Sequence, residues 1–289
     1  MKKPGLTLIF TIFCTTLFAQ LSFDSTVLIR NLKDLSSDVM EGRKAGTEGG
    51  KKAQTYIIDQ LKKSGIEPFV SHYVQSFALS SGEGANILAM IPGKQKETIV
   101  ISAHYDHLGI RNQAVFNGAD DNASGVGALL AMAQYFKKNP PQHRLIFAFF
   151  DAEEMGLRGS AHFTKSIDAQ KENIVLNVNL DMVSRSDKQE LYACGGFHYP
   201  DVKKKIEGVQ TPAGLKLSFG HDDPALGNDD WTNQSDHYNF HQKKIAFVYF
   251  GVEDHPDYHR STDDFEKVNK VFYSKSVETI LQCVKALDQ

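Results

Sequence analysis

The chain has 289 residues, 41% of them hydrophobic and 23% charged, with a formal net charge of −3. This is ordinary globular composition with length enough for a large core, which excludes disordered, collagenous and low-complexity classes. No basic block exists to neutralise phosphates, so nucleic acid is not an expected partner, and three cysteines are too few for a disulfide framework.

The chain opens on Lys2 and Lys3, an apolar stretch from Leu6 to Phe18, and small-residue chemistry at Ala19. This reads as a signal peptide over residues 1–19, too short to span a bilayer, with a periplasmic or extracellular destination and no membrane association after cleavage. Cleavage before Gln20 removes two lysines and no acid, taking the charge from −3 to −5, and leaves Cys194 and Cys283 as buried free thiols.

Residues 23–65 carry two helical patterns, Leu28, Ile29, Leu32, Leu35 and then Ala53, Tyr56, Ile57, Leu61. The glycine-punctuated loop Glu41-Gly42-Arg43-Lys44-Ala45-Gly46-Thr47 separates them. Strands are expected at Ala85–Ile91 and Glu97–Ala103, followed by an amphipathic helix from Ala123 to Lys138 that Asn139-Pro140-Pro141 stops. Arg144–Phe150, Ile174–Val183 and Ile245–Phe250 are apolar runs of the kind buried on both faces of a sheet. A helix from Lys267 to Leu287 ends the chain. The alternation of strands and helices predicts an α/β fold, a three-layer α/β/α sandwich with a mostly parallel mixed central sheet, as one domain over residues 20–289.

Histidine is the unusual entry, with 11 residues, several beside acids. Imidazole and carboxylate suit zinc where thiolates are scarce. Polar groups gather where the predicted strands end, which is where open α/β sheets place their sites. His104 and Asp106 stand at i and i+2 and share a face if the strand continues, so Asp106 can orient the imidazole. Asp120-Asp121-Asn122 precedes a small-residue helix start, where acids ordinarily serve as caps. Glu153 and Glu154 directly follow a buried strand; adjacent residues point apart, so one can bind metal while the other remains a general base. Asp181 closes a further apolar strand, and His259 with Asp263 occupies a late loop. His107, His237 and His255 also stand near acids or aromatics. Ser235-Asp236-His237 reads either as part of a substrate pocket or as a helix start.

The ordered set AHYDHLG, GADDNASG, FDAEEMGLRGS, NLDM and YHRSTDD resembles the co-catalytic zinc aminopeptidases of metallopeptidase family 28, in particular secreted bacterial members. The resemblance runs from about Leu32 to the C-terminus. It implies a zinc-exopeptidase fold and two Zn²⁺ ions. His104 and Asp181 would bind one ion, Glu154 and His259 the other, with Asp121 bridging and a cis peptide bond following it. Glu153 would be the general base acting on a metal-bridging hydroxide, and Tyr258 would polarise the substrate carbonyl. Asp106 and Asp263 would support the ligands. Three carboxylates and one hydroxide balance the four charges of two zinc ions, as a partly buried site needs. The implied substrates are peptides with a free N-terminus. Related alternatives are a glutaminyl cyclase-like acyltransferase, a non-catalytic binding domain, and a carboxypeptidase, which needs a basic pocket of the kind Arg158, Arg185 or Arg260 could furnish. Met182 and nearby aromatics are candidates for the side-chain pocket.

Overall fold

The computed structural model describes residues 23–80, 82–167 and 171–289; the expected signal peptide lies outside them. The N-terminal helices form as their periodicity predicts. Helix α1 (Ser25–Leu35) is capped by Asp24, whose carboxylate accepts the Thr26 and Val27 amides, and it buries Leu28, Leu32 and Leu35. Helix α2 (Glu48–Lys63), capped by Thr47, buries Ala53, Ile57 and Leu61.

The strands are β1 (Glu67–Pro68), β2 (Val74–Leu79), β3 (Gly82–Ile91), β4 (Thr98–His104), the hairpin pair β5 (Gly109–Arg111) and β6 (Ala114–Phe116), and β7 (Arg144–Phe150). They continue with β8 (Ile174–Leu180), β9 (Glu190–Cys194), β10 (Lys216–Phe219) and β11 (Ala246–Gly251). The main sheet runs β1-β3-β7-β4-β8-β11-β9-β10, with β2 also paired to β3. Its centre, β7-β4-β8-β11, is parallel. The flanking pairs β3–β7 and β11–β9 are antiparallel, which makes the sheet mixed as expected.

Alternation along β7 shows why the central runs read as continuously apolar. Leu145, Phe147 and Phe149 point to one face, Ile146, Ala148 and Phe150 to the other, and both faces are covered. The larger core packs α1, α2, α3 (Gly125–Lys138), α5 (Pro200–Ile206) and α7 (Lys270–Leu287) against the first face. The second face takes Phe163 of α4 (Arg158–Ser166) and Phe240 of α6 (His237–Gln242). This is the expected three-layer arrangement.

Boundaries depart from expectation where the chain turns into the site. Regular helix begins at Gly125 rather than Ala123, because Asp121 and Asn122 have non-helical torsions. The peptide bond between those two residues is cis. The strand expected to reach Val183 stops at Leu180, and Met182 takes a left-handed φ of 56°. The last helix begins at Lys270, where Asn269 accepts the Phe272 amide as its cap. Cys194 and Cys283 are free and buried, as expected. Among the described residues, no helix is long and apolar enough to cross a membrane.

Candidate metal centre

The four central parallel strands open their carboxyl ends on one edge of the sheet, and the predicted residues meet there. His104 ends β4, Glu153 and Glu154 follow β7, Asp181 follows β8, and the loop after β11 brings Tyr258 and His259. Asp121 enters from the irregular turn Ala119–Ser124 that leads into α3. Small residues let this turn sit close: a Cβ at Gly125 would lie 2.4 Å from Asn122 Oδ1 and 2.7 Å from the Leu180 carbonyl.

Asp121 is the centre of the arrangement, and its two oxygens face different partners. Oδ1 lies 3.3 Å from His104 Nε2, which is itself 3.1 Å from Asp181 Oδ1. Oδ2 lies 3.1 Å from His259 Nε2, which is 3.3 Å from Glu154 Oε2. His107, given little weight from sequence, is fully buried on the same side, with Nδ1 2.7 Å from Glu154 Oε1. His104, Asp121 and Asp181 form one group of potential ligand atoms, and His107, Asp121 and Glu154 another.

The electrostatics separate the two adjacent glutamates. Burial pushes Glu153 well above the ordinary carboxylate range, aided by Asp181 and Asp236 and opposed by His104. Glu154 is held below it: burial opposes the charge, but His107 and His259 outweigh burial. Asp121 is also held low, because His107, His104 and His259 overcome its desolvation. Burial would lower His259, yet Asp121 and Glu154 raise it to about 10. The Tyr258 ring stacks on His259 at 3.9 Å between centroids, and burial raises its hydroxyl pKa, so it remains a proton donor.

Supporting groups fix this geometry through the backbone. Asp106 lies beyond the end of β4, so the strand-face argument does not describe it; its own carbonyl is 3.2 Å from His104 Nδ1 and its carboxylate 3.6 Å. That carboxylate accepts the amides of Glu153 at 2.9 Å and Glu154 at 3.4 Å. Asp263 touches no imidazole of the pair; it accepts the amides of Asp120 and Asp121 at 3.1 Å. Asp120 accepts the Ser184 amide and hydroxyl, with His255 Nε2 at 3.2 Å. The Ser235 hydroxyl donates to Asp181 Oδ2 at 2.7 Å, and the neighbouring Asp236, wholly buried, is raised by burial to about 7. Helix α6 does start here, with Asp236 at its N-cap position but without a side-chain cap bond, so the segment is a helix start whose Ser235 also reaches the site.

A divalent cation fits these donors. His107 Nε2 is buried without a hydrogen-bond partner among the described residues, and the close approach of His107 Nδ1 to Glu154 Oε1 lacks hydrogen-bond geometry, a shortfall that an apolar interior does not tolerate without compensation. The donors are imidazole nitrogen and carboxylate oxygen, a set that zinc accepts. A cleft of about 340 Å³ opens over them, lined also by Met182, Trp231, Tyr249, Asp254 and Tyr258. None of Arg158, Arg185 and Arg260 lines it; Arg185 instead pairs with Asp257.

The profile of Peptidase family M28 matches residues 86–284. The chain belongs to this family. Within the M28 relatives, it is 31% identical over 189 residues to Aminopeptidase YwaD of Bacillus subtilis, covering 61% of this chain and 38% of that one. It is 29% identical over 184 residues to the alkaline phosphatase isozyme conversion protein of Escherichia coli, covering 57% and 53%. The chain thus spans about half or less of the length of these curated relatives. The fold matches that of a Bacillus subtilis zinc aminopeptidase with a TM-score of 0.72 at 18% identity, covering 92% of this chain and 95% of the other. A Bacteroides thetaiotaomicron glutaminyl cyclase matches with a TM-score of 0.71 at 20% identity, covering 91% and 98%. The M28 fold therefore carries more than one chemistry, and the site must discriminate between them.

Proposed function

We propose that this M28 protein is a two-zinc aminopeptidase that removes residues from the free N-terminus of peptides. The observation that carries the reading is the division of Asp121: one oxygen faces His104 and Asp181, the other His259 and Glu154. A carboxylate placed between two such groups suits a ligand shared by two ions, and paired metal ions are a recurring device of hydrolases, aminopeptidases among them. The ligands proposed are His104, Asp121, Asp181, Glu154 and His259.

Zinc bound by these residues supplies Lewis acidity and lowers the pKa of water at the site. Glu153, free of ligand duty, takes a proton from the attacking water on its carboxylate and returns it to the nitrogen of the leaving amine. The Tyr258 hydroxyl donates to the developing oxyanion. The ligand carboxylates would be neutralised by zinc; beyond them the cleft is lined by Glu153 and Asp254 and by no lysine or arginine, which favours a free amine over a carboxylate. This argues against the carboxypeptidase alternative. The apolar leader of residues 1–19 is read as an export signal ahead of one domain from residue 20, so the enzyme acts outside the cytoplasm.

A panel of aminoacyl-coumarin substrates, matched N-blocked peptides and an N-terminal glutamine peptide, assayed with metal analysis, tests the proposal. Cleavage confined to free N-termini, with two zinc ions per chain, is expected. Cyclisation of the glutamine peptide with one zinc overturns it in favour of the cyclase chemistry, and no cleavage of any free N-terminus by zinc-loaded protein overturns it outright.

A further inference from the structure

Arg43 is a fully buried cation whose hydrogen bonds all end on main-chain carbonyls. Nε donates to Tyr105 O at 2.8 Å, Nη1 to Leu35 O at 2.7 Å and Asn117 O at 2.6 Å, and Nη2 to Gly118 O at 2.9 Å. Its own carbonyl accepts the His107 amide at 3.4 Å. Tyr105 lies between His104 and Asp106, while Asn117 and Gly118 lead directly into the turn that carries Asp121. One guanidinium therefore holds both loops and ties them to the end of α1.

The backbone is bent to put it there. Glu41, Gly42 and Arg43 are all left-handed, with φ of 52°, 64° and 50°. A Cβ at Gly42 would lie 2.5 Å from Phe116 O and 2.7 Å from Gly109 O, so only glycine lets the turn press against the β5–β6 hairpin. Left-handed torsions at the two non-glycine residues flanking it are conformationally costly and persist because the surroundings hold them. Burial weakens the charge on Arg43, and the carboxylates that offset this are Asp121, Asp263, Asp106 and Glu154, all members of the site or its supports. A lysine carries the same charge but has no planar fork to reach several separated carbonyls at once.

We propose that Arg43 is a positioning residue of the metal centre, fixing the distance between the His104–Asp106 loop and the Asp121 loop by binding carbonyls on both. This rests on the reading of the site as a zinc centre. Arg43 touches neither ligand atoms nor the cleft; it acts through the backbone that presents His104 and Asp121.

Arg43→Lys and Arg43→Gln are compared with wild type for zinc affinity by competition with a chromogenic chelator, for kcat and KM at saturating zinc, and for metal-free fold by far-ultraviolet circular dichroism. Both variants are expected to bind zinc about 10–100-fold more weakly, the range typical of groups that orient ligands. Excess zinc should restore activity to Arg43→Lys only in part, through a lower kcat at little-changed KM. A folded, metal-free Arg43→Lys with zinc affinity within about twofold of wild type overturns the proposal. Should neither variant fold, hydrogen exchange of the wild type decides. Zinc is expected to slow exchange in residues 34–45 together with 104–108 and 117–124, and protection of the latter two alone overturns the role of Arg43. Wild-type protein that takes up no zinc overturns the reading of the site, and Arg43's role with it; zinc-binding wild type beside an unaltered variant overturns only the latter.

Discussion

The amide of Glu153 donates to the carboxylate of Asp106 at 2.9 Å, and through this bond the loop after β7 is fastened to the loop after β4. Asp106 also receives the Glu154 amide at 3.4 Å. One acid thus fixes the backbone of two glutamates whose side chains lie in opposite electrostatic settings, Glu153 raised by burial and Glu154 lowered by imidazoles. The division of labour proposed between base and ligand would follow from where each side chain points, not from any chemical difference between them.

Replacing Glu153 with alanine removes the proposed proton carrier without removing a ligand. Turnover should fall about 10²–10⁴-fold, the range of a positioned general base, while metal content measured by mass spectrometry stays at the wild-type level. Loss of an ion in this variant would show that the two glutamates have been assigned in the wrong order.

Asp106→Asn replaces one acceptor oxygen with a donor that confronts an amide N–H. The loop bearing Glu154 should loosen, and zinc affinity should weaken about 10–100-fold. Chelator competition measures the loss, and affinity unchanged from wild type would refute the role given to Asp106.

Zinc uptake should release protons. In the metal-free protein Asp121 and Glu154, against the effect of burial, raise His259 from 6.5 to about 10. That raised value means the proton stabilises the metal-free fold fully below pH 6.5, and the contribution is lost as pH rises through about 10. A ligating imidazole must be neutral, so binding near pH 8 displaces about one proton from His259, and apparent affinity should rise about tenfold per pH unit up to that limit. Calorimetry in buffers of different ionisation enthalpy counts the protons; a pH-independent affinity between about pH 7 and 9 contradicts the expectation.

Gly118 has φ of 53°, and a Cβ there would lie 2.1 Å from the Asp121 carbonyl and 2.6 Å from the His107 ring. Gly118→Ala adds both torsional strain and overpacking, and should destabilise the fold by roughly 2–4 kcal/mol. Urea unfolding of the metal-free protein measures this, and a midpoint equal to wild type would contradict it.

The amino-acid sequence by itself determined the long elements and the chemistry at their ends. Leu28, Leu32 and Leu35 mark α1 because a helix repeats every 3.6 residues, and Leu145 to Phe150 marks β7 because a strand covered on both faces is apolar throughout. The short pieces β1, β5, β6 and α5 were not legible, since two to seven residues complete too few periods to register. His104, Asp121, Glu154, Asp181 and His259 could be named from chain order alone, through the resemblance their motifs carry. Asp106 and Asp263 were named behind them by the same resemblance, but the bonds these two make and the other groups that join them were decided only by tertiary structure. His107 looked like one more histidine near an acid until β4 and β7 brought it to Glu154. Ser235 lies 54 residues from Asp181 and Arg43 lies 75 from Gly118, and no local pattern encodes contacts at that separation. Those partners are fixed by the sheet order and by the need of buried polar groups to find one another, a condition that the folded chain satisfies as a whole.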